Sequence, residues 1–197
     1  TLNEMRIDIA ENFPWRVVHV DRAEADDVIA VMTEWAQSND LVVEGLVEEP
    51  QKILILSSDK DFKQLQLAPF SSGNVRQWSP MQKKFIQATK QEIMDFTIEH
   101  IVKGDTGDGI PNILSYSDTF VTGQRQKRMT EQKMTKYMNE EYANYDSLAN
   151  TGFVRNQTLI DLRNIPSDIK SKIINTYEET VPVKGKILEN KLKCKNL

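Results

Sequence analysis

Residues 53–56 read Ile-Leu-Ile-Leu, and the chain then continues Ser-Ser-Asp-Lys-Asp before any loop residue appears. A short apolar run without alternation suits a strand buried on both faces, as in parallel sheets covered by helices. The two carboxylates, Asp59 and Asp61, follow immediately, with one residue between them. In open parallel sheets functional groups collect just beyond the carboxyl ends of the strands. The run therefore predicts both a fold class and a place to look for chemistry.

The neighbouring segments support an α/β layer. Arg16–Val20 (RVVHV) is a β-branched strand candidate. Val28, Ile29, Met32, Trp35 and Ala36 recur at helical spacing, which predicts a helix over about 24–37. DFKQLQL predicts a short helix after the Lys52–Leu56 strand, and GNVRQWSP a further strand closed by Pro80. Strand, helix, strand, helix, strand is the order of a parallel α/β sheet. From about residue 90 the pattern turns helical. TKQEIMDFTIEHIVKG has an apolar face, Thr89 as a candidate N-cap and Gly104 as a stop. The stretch from Gln124 to Tyr145 predicts another helix, basic in its first half. Two more are expected near 156–163 and 166–178, ahead of a lysine-rich tail from Pro182 to Leu197. The expected organisation is residues 1–90 as an α/β core, 91–150 as a helical nucleic-acid-binding region, and 151–197 as closing helices and tail. The chain opens with Thr on helix-like spacing (Leu2, Met5, Ile9), which reads as a protein whose beginning is missing.

Composition narrows the chemistry. The 197 residues carry a formal charge of −4, so nucleic-acid binding has to rest on local basic patches. A single cysteine, Cys194, excludes an internal disulfide framework and a Cys-rich zinc site, and suits a reducing cytoplasm. His19 and His100 are too few for a His-based zinc site. No apolar run reaches the length of a membrane helix.

Three acidic groups stand out: Glu24, Asp26 and Asp27 at the start of the first clear helix; Asp59 and Asp61; and Asp105 and Asp108 in KGDTGDGIPN. Each has an ordinary explanation. Acids in a first turn offset the helix dipole, and loop acids cap or face solvent. Taken jointly, carboxylates crowded beside a sheet edge would titrate upward unless cations neutralised them. Hard divalent ions, Mg²⁺ or Mn²⁺, suit oxygen ligands. Two such ions about 3.5–4 Å apart are a usual arrangement for phosphodiester hydrolysis.

EADD, SSDKDFKQL and GDTGDGIPN, in this order, resemble the flap endonuclease/5′-nuclease family. DKDFKQL followed by NVRQWSPMQKKFI is most similar to its branch of ribonucleases H from T-even-type bacteriophages. The resemblance implies a PIN-like parallel α/β core followed by a helix–three-turn–helix element that grips duplex backbone. It implies a 5′→3′ nuclease acting on RNA–DNA and DNA duplexes and flaps, and removing RNA primers in lagging-strand synthesis. It implies Glu24, Asp26, Asp27 and Asp59 near a first metal, Asp61 between two, and Asp105 and Asp108 at the second, largely through water. Asp59 and Asp61 are thus the catalytic candidates, with two Mg²⁺ ions (or Mn²⁺) as cofactors. The family's opening strand, its metal-ligating Asp and a basic arch have no counterpart here, so this chain alone is expected to be weakly active or inactive. After GIPN the chain reads ILSYSDTFVTGQRQKR where the family usually has a glycine-rich turn.

Gly104, Gly107 and Gly109 in the loop, and Arg125, Lys127, Arg128, Lys133 and Lys136 beyond it, are the candidate DNA contacts; a solvated helix face is the plainer reading of the cations. The tail lysines offer either DNA or a replication protein, such as a single-stranded-DNA-binding protein or sliding clamp, as partner. Lys83 and Lys84 read as surface charges, His19 as a packed strand residue, Trp35 as core, and Cys194 as a free thiol. Trp78 reads as core or near a strand end. Competing functions are a non-catalytic duplex-binding remnant and a PIN-type ribonuclease.

Overall fold

The structure, a computed structural model, describes residues 1–38, 49–139 and 144–183. The chain divides into two compact units, Thr1–Trp35 with Pro166–Leu197, and Ala36–Ile165. The lysine-rich tail from residue 184 onward, with Cys194, lies outside the described residues.

The first unit contains α1 (Leu2–Asn12), most of α2 (Ala25–Gln37) and a helix at the far end of the chain, Ser167–Glu179. α1 begins with a capping box: the Thr1 hydroxyl accepts from the Glu4 N–H, and the Glu4 carboxylate returns to the Thr1 amino group. It buries none of its residues, and Leu2, Met5 and Ile7 are exposed. Arg16 organises the unit. Its guanidinium donates to the Thr180 carbonyl and the Tyr177 hydroxyl, both at 2.9 Å, and stands over the Tyr177 ring. Tyr177 meets Trp35 edge-on, and Lys170 pairs with Glu34 at 2.6 Å. Three expectations fail here. Residues 16–20 form no strand, because no neighbouring strand supplies a ladder among the described residues, and His19 is exposed rather than packed. Trp35 is only half-buried.

The second unit holds the sheet, β1 (Ile53–Leu56), β2 (Val75–Ser79) and β3 (Lys84–Ile86), in that order. β1 and β2 are parallel, with Ile53 opposite Val75 and Leu56 opposite Trp78. The uniformly parallel layout expected from the sequence stops there. β3 returns antiparallel, with Trp78 opposite Phe85. The connection through residues 80–83 is too short for a crossover, and antiparallel pairing is what a tight turn permits. Between β1 and β2 a 3₁₀ turn, Asp61–Gln66, buries Phe62, Gln64 and Leu65.

The apolar run of β1 is not buried on both faces. Ile55 is buried, but Leu54 and Leu56 are 55% and 67% exposed. Their shared parity places them on one face of the sheet, which nothing covers completely among the described residues.

The remaining elements of this unit are helical: α3 (Lys90–Lys103), α4 (Glu131–Asn139) and α5 (Ser147–Ile160), then a 3₁₀ turn, Leu162–Asn164. The helix at the chain's end, Ser167–Glu179, is α6. α3 starts and stops where its sequence directs. Thr89 and Glu92 form a capping box, and Gly104 closes the helix at φ 71°. Val102, Ile113, Leu114, Tyr137, Tyr145 and Ala149 form the core beneath these helices, with Ile98, Met129, Met134 and Phe153 packed against them.

Two boundaries differ from expectation. The basic stretch 124–130 is not helical: α4 begins only at Glu131, with the Thr130 hydroxyl accepting from the Lys133 N–H. The helix expected at 156–163 instead starts at Ser147, capped by Asp146, whose carboxylate accepts from the Ala149 N–H. α5 lies close to the loop after α3. A Cβ at Gly152 would come within 2.6 Å of the Ile113 Cα and nearer still to its carbonyl oxygen. The next turn of α5 fixes the loop. Asn156, fully buried, donates to the Ile101 and Pro111 carbonyls at 2.7 and 2.9 Å. Arg155 donates to the carbonyls of Pro111, Asn112 and Ser115.

Candidate metal centre and nucleic-acid interface

The acids at the end of β1 are set by short-range bonds. The ladder continues one step beyond the strand, with the Ser57 N–H donating to the Trp78 carbonyl at 3.1 Å. Gln77 is fully buried and its amide donates to the carbonyls of Ser57 and Asp59, pinning the chain as it leaves the sheet. Ser58 and Ser79 share a hydroxyl–hydroxyl bond of 2.8 Å. The Asp59 carboxylate accepts from the Asp61 N–H at 3.0 Å, a local bond two residues along the chain where the 3₁₀ turn begins. Part of the ordinary explanation for this acid therefore holds.

Asp61 faces α3. His100, in the last turn of that helix, places Nδ1 3.1 Å from Asp61 Oδ1 and Nε2 3.0 Å from Asp105 Oδ2. The imidazole thus links the acid at the strand end with the acid of the loop after α3. The hydrogen bond to Asp61 raises His100 above its ordinary range against the opposing effect of burial, and Asp105 adds to the rise. For Asp105, burial works upward, but bonds from His100 and from the Gly107 and Asp108 N–H groups hold its carboxyl below the usual range.

These groups line one cavity of about 510 Å³, bounded by Ser58, Asp59, Lys60, Asp61, Phe96, Glu99, His100, Lys103 and Asp105. Asp59, Asp61 and Asp105 are thereby brought together. Asp108 is exposed and does not line the cavity, although its N–H is 3.4 Å from Asp105 Oδ1. Glu24, Asp26 and Asp27 belong to the other unit. There the Asp27 carboxylate accepts from the Glu24 N–H at 3.0 Å, a helix-start contact.

The donor set suits a hard cation. Carboxylate oxygens meet in a half-open cavity, with Lys60 and Lys103 at its rim. Among the described residues, no three of His, Cys, Asp and Glu are arranged to hold an ion by themselves. Carboxylate oxygens are the donor type that hard divalent cations take, and such ions commonly keep several waters and bind through one or two carboxylates.

Sequence reasoning did not single out His100, Lys60, Glu99 or Lys103 for the site. Only a weak signal was available: His100 falls four residues after Phe96 and five before Asp105, on the helix end that leads into the acidic loop.

The basic segment is bound to that same loop. Asn112 donates from its N–H to Gln126 Oε1 at 3.1 Å and from its amide to the Lys127 carbonyl at 2.7 Å. The Lys127 N–H donates to Ser115 Oγ at 2.8 Å. Arg125, Lys127, Arg128, Lys133 and Lys136 are all exposed. Gly107 and Gly109 are exposed, while Gly104 is buried against Ile110 and Pro111, where a Cβ would clash.

A family model described as "T4 RNase H, C terminal" matches residues 90–196. The ribonuclease H of Enterobacteria phage T4 is 35% identical over 181 residues, covering 88% of this chain. The chain belongs to the T4 ribonuclease H family. It spans 55% of the length of that T4 protein. A crystal structure of the T5 D15 protein, co-crystallised with metal ions, aligns over 83% of this chain and 62% of its own, at 16% identity and a TM-score of 0.46. That likeness is too remote to assign residue roles. Within the T4 ribonuclease H family, the matched C-terminal region includes α3, the GDTGDGIPN loop and the basic segment.

Proposed function

We propose that this member of the T4 ribonuclease H family carries acidic and duplex-gripping parts of a divalent-metal-dependent 5′→3′ nuclease. Its substrates are RNA–DNA and DNA duplexes or flaps, and its task is removal of RNA primers during DNA replication. The observation that carries this reading is the cavity where Asp59 and Asp61 meet Asp105 beside Lys60 and Lys103. Carboxylates there would hold Mg²⁺ or Mn²⁺, and the lysines suit a phosphodiester. When bound, the metal supplies an activated water and charge stabilisation at the attacked phosphorus. Asp59 and Asp61 would hold the ions, and Asp105 and Asp108 would reach the second one largely through water.

The chain's other contribution is to hold substrate. Exposed backbone around Gly107 and Gly109, with Arg125, Lys127, Arg128, Lys133 and Lys136, would contact phosphates, and such contacts fix register without reading sequence. Gly104 supports the loop by packing. One observation favours a second reading, a duplex-binding protein without catalysis: Asp27 and Asp59 both accept from nearby backbone N–H groups.

The test is cleavage of 5′-flap and RNA–DNA substrates with Mg²⁺, by this chain and by this chain joined behind the opening segment of its T4 relative. Asp61→Ala and Asp108→Ala are expected to abolish cutting by the joined protein while leaving duplex binding intact. Cleavage by neither form, with binding retained, would establish the second reading instead.

A further inference from the structure

We propose that His100 is a positioning residue of this site, holding the Asp61 and Asp105 carboxylates on opposite sides of its ring in the orientations in which they take up divalent cations. The inference rests on the nuclease reading above and adds a residue to it.

The three groups come from two stretches of chain. Asp61 opens the 3₁₀ turn behind β1, His100 sits in the last turn of α3, and Asp105 follows the Gly104 stop. Each carboxylate gives one oxygen to the ring, Asp61 Oδ1 and Asp105 Oδ2. Asp105 is fixed at its other oxygen as well, since Oδ1 accepts from the Gly107 N–H at 2.7 Å. Asp61 is the less constrained partner: its N–H is bound to Asp59, and among the described residues its side chain bonds to His100 alone. Without the imidazole, two like-charged groups in a half-open cavity have every reason to turn away from each other into water.

The ring is itself well held. It is half-buried, its backbone carbonyl accepts the Gly104 N–H at 2.8 Å, and Phe96 packs one turn earlier with ring centroids 5.8 Å apart. Lys63 stands over the Phe96 ring at 4.6 Å, which braces that side chain from the 3₁₀ turn. The tether therefore joins two rigid elements. Outer hydrogen-bond partners of metal-binding carboxylates commonly change metal affinity by about 10–100-fold when removed.

The experiment uses the whole chain and Mn²⁺ as probe, with free ion followed by electron paramagnetic resonance. Amide exchange at Gly107 and Asp108 is measured in parallel without metal. Wild type is expected to bind Mn²⁺, and His100→Ala to bind at least about tenfold more weakly. His100→Gln, able to reach only one carboxylate at a time, is expected to fall between them. Exchange at Gly107 and Asp108 should quicken in His100→Ala, as Asp105 loses one of its anchors. A purely structural histidine would lower the melting temperature yet leave Mn²⁺ affinity unchanged in the folded variant, and that result overturns the proposal. So does tighter Mn²⁺ binding by His100→Ala, which would make the ring a competitor of the ion. If wild type takes up no Mn²⁺ at all, it is the metal-dependent reading that fails, and the positioning role falls with it.

Discussion

Replacing Gly152 by alanine sets two effects of opposite sign against each other. Gly152 lies inside α5, where alanine in place of glycine favours the helix by about 1 kcal/mol. The added methyl, however, would lie 2.6 Å from the Ile113 Cα and 2.8 Å from its carbonyl carbon. Those are backbone atoms of the loop after α3, and no side-chain rotation relieves them. α5 has to withdraw by roughly 1 Å, and overpacking of this kind costs about 1–3 kcal/mol, occasionally more. The withdrawal also loosens the next turn, where Asn156 and Arg155 hold the Pro111 carbonyl, at about 1 kcal/mol for each bond weakened. The net expectation is destabilisation by about 1–4 kcal/mol, or roughly 2–15 °C in melting temperature for a protein of this size. Thermal melts followed by far-ultraviolet circular dichroism measure it, with Thr151→Ala, exposed on the same helix, as a control expected within about 0.5 kcal/mol of wild type. If Gly152→Ala melts at or above wild type, helix propensity outweighs contact, and the close approach of α5 to Ile113 is wrong.

Arg155→Met should destabilise by about 2–4 kcal/mol, because it strips the carbonyls of Pro111, Asn112 and Ser115 of a charged donor; urea midpoints report it. Lys127→Ala and Arg128→Ala should each weaken duplex binding at all sequences and reduce the salt dependence by about one ion per contact, read from binding isotherms at several salt concentrations. Glu92 gives a pH dependence with a definite sign. Hydrogen bonds from Thr89 hold its carboxyl below the ordinary range, so the unfolded chain binds the proton more readily. Its contribution is present above the unfolded pKa of about 4.5 and is lost as the pH falls through the lowered folded value. Glu92→Gln should flatten that part of the acid stability profile, and an unchanged profile would show that the cap does not titrate in this range. For the protein joined behind the opening segment of its T4 relative, washing with a chelator should abolish cleavage and Mg²⁺ should restore it; cleavage that survives the wash refutes the metal dependence.

The limits of α3 illustrate what could be read locally. Thr89 and Glu92 close the first turn and Gly104 adopts the left-handed conformation at the last, so both ends are specified within a few residues. The same holds for β1, the 3₁₀ turn and β2, whose apolar content and turn residues mark them out, and for Asp59, which lies just beyond its strand by chain connectivity alone. Residues 124–130 show the opposite case. Their charge spacing suits a helix, yet Asn112 and Ser115 bind the backbone of Lys127, and those bonds to a distant loop replace the helical ones. The strand read at 16–20 fails for a related reason, since a strand exists only with a neighbour to pair with.

By itself the sequence determined the acidic motifs, their order, and the helix and strand that precede them, because caps, turns and apolar runs act over a few residues. Only the tertiary structure decided that Asp61 and Asp105 share a cavity, that His100 stands between them, and that Leu54 and Leu56 face outward. Each of those outcomes depends on where separate segments pack, with His100 39 positions after Asp61, and no local preference encodes that distance.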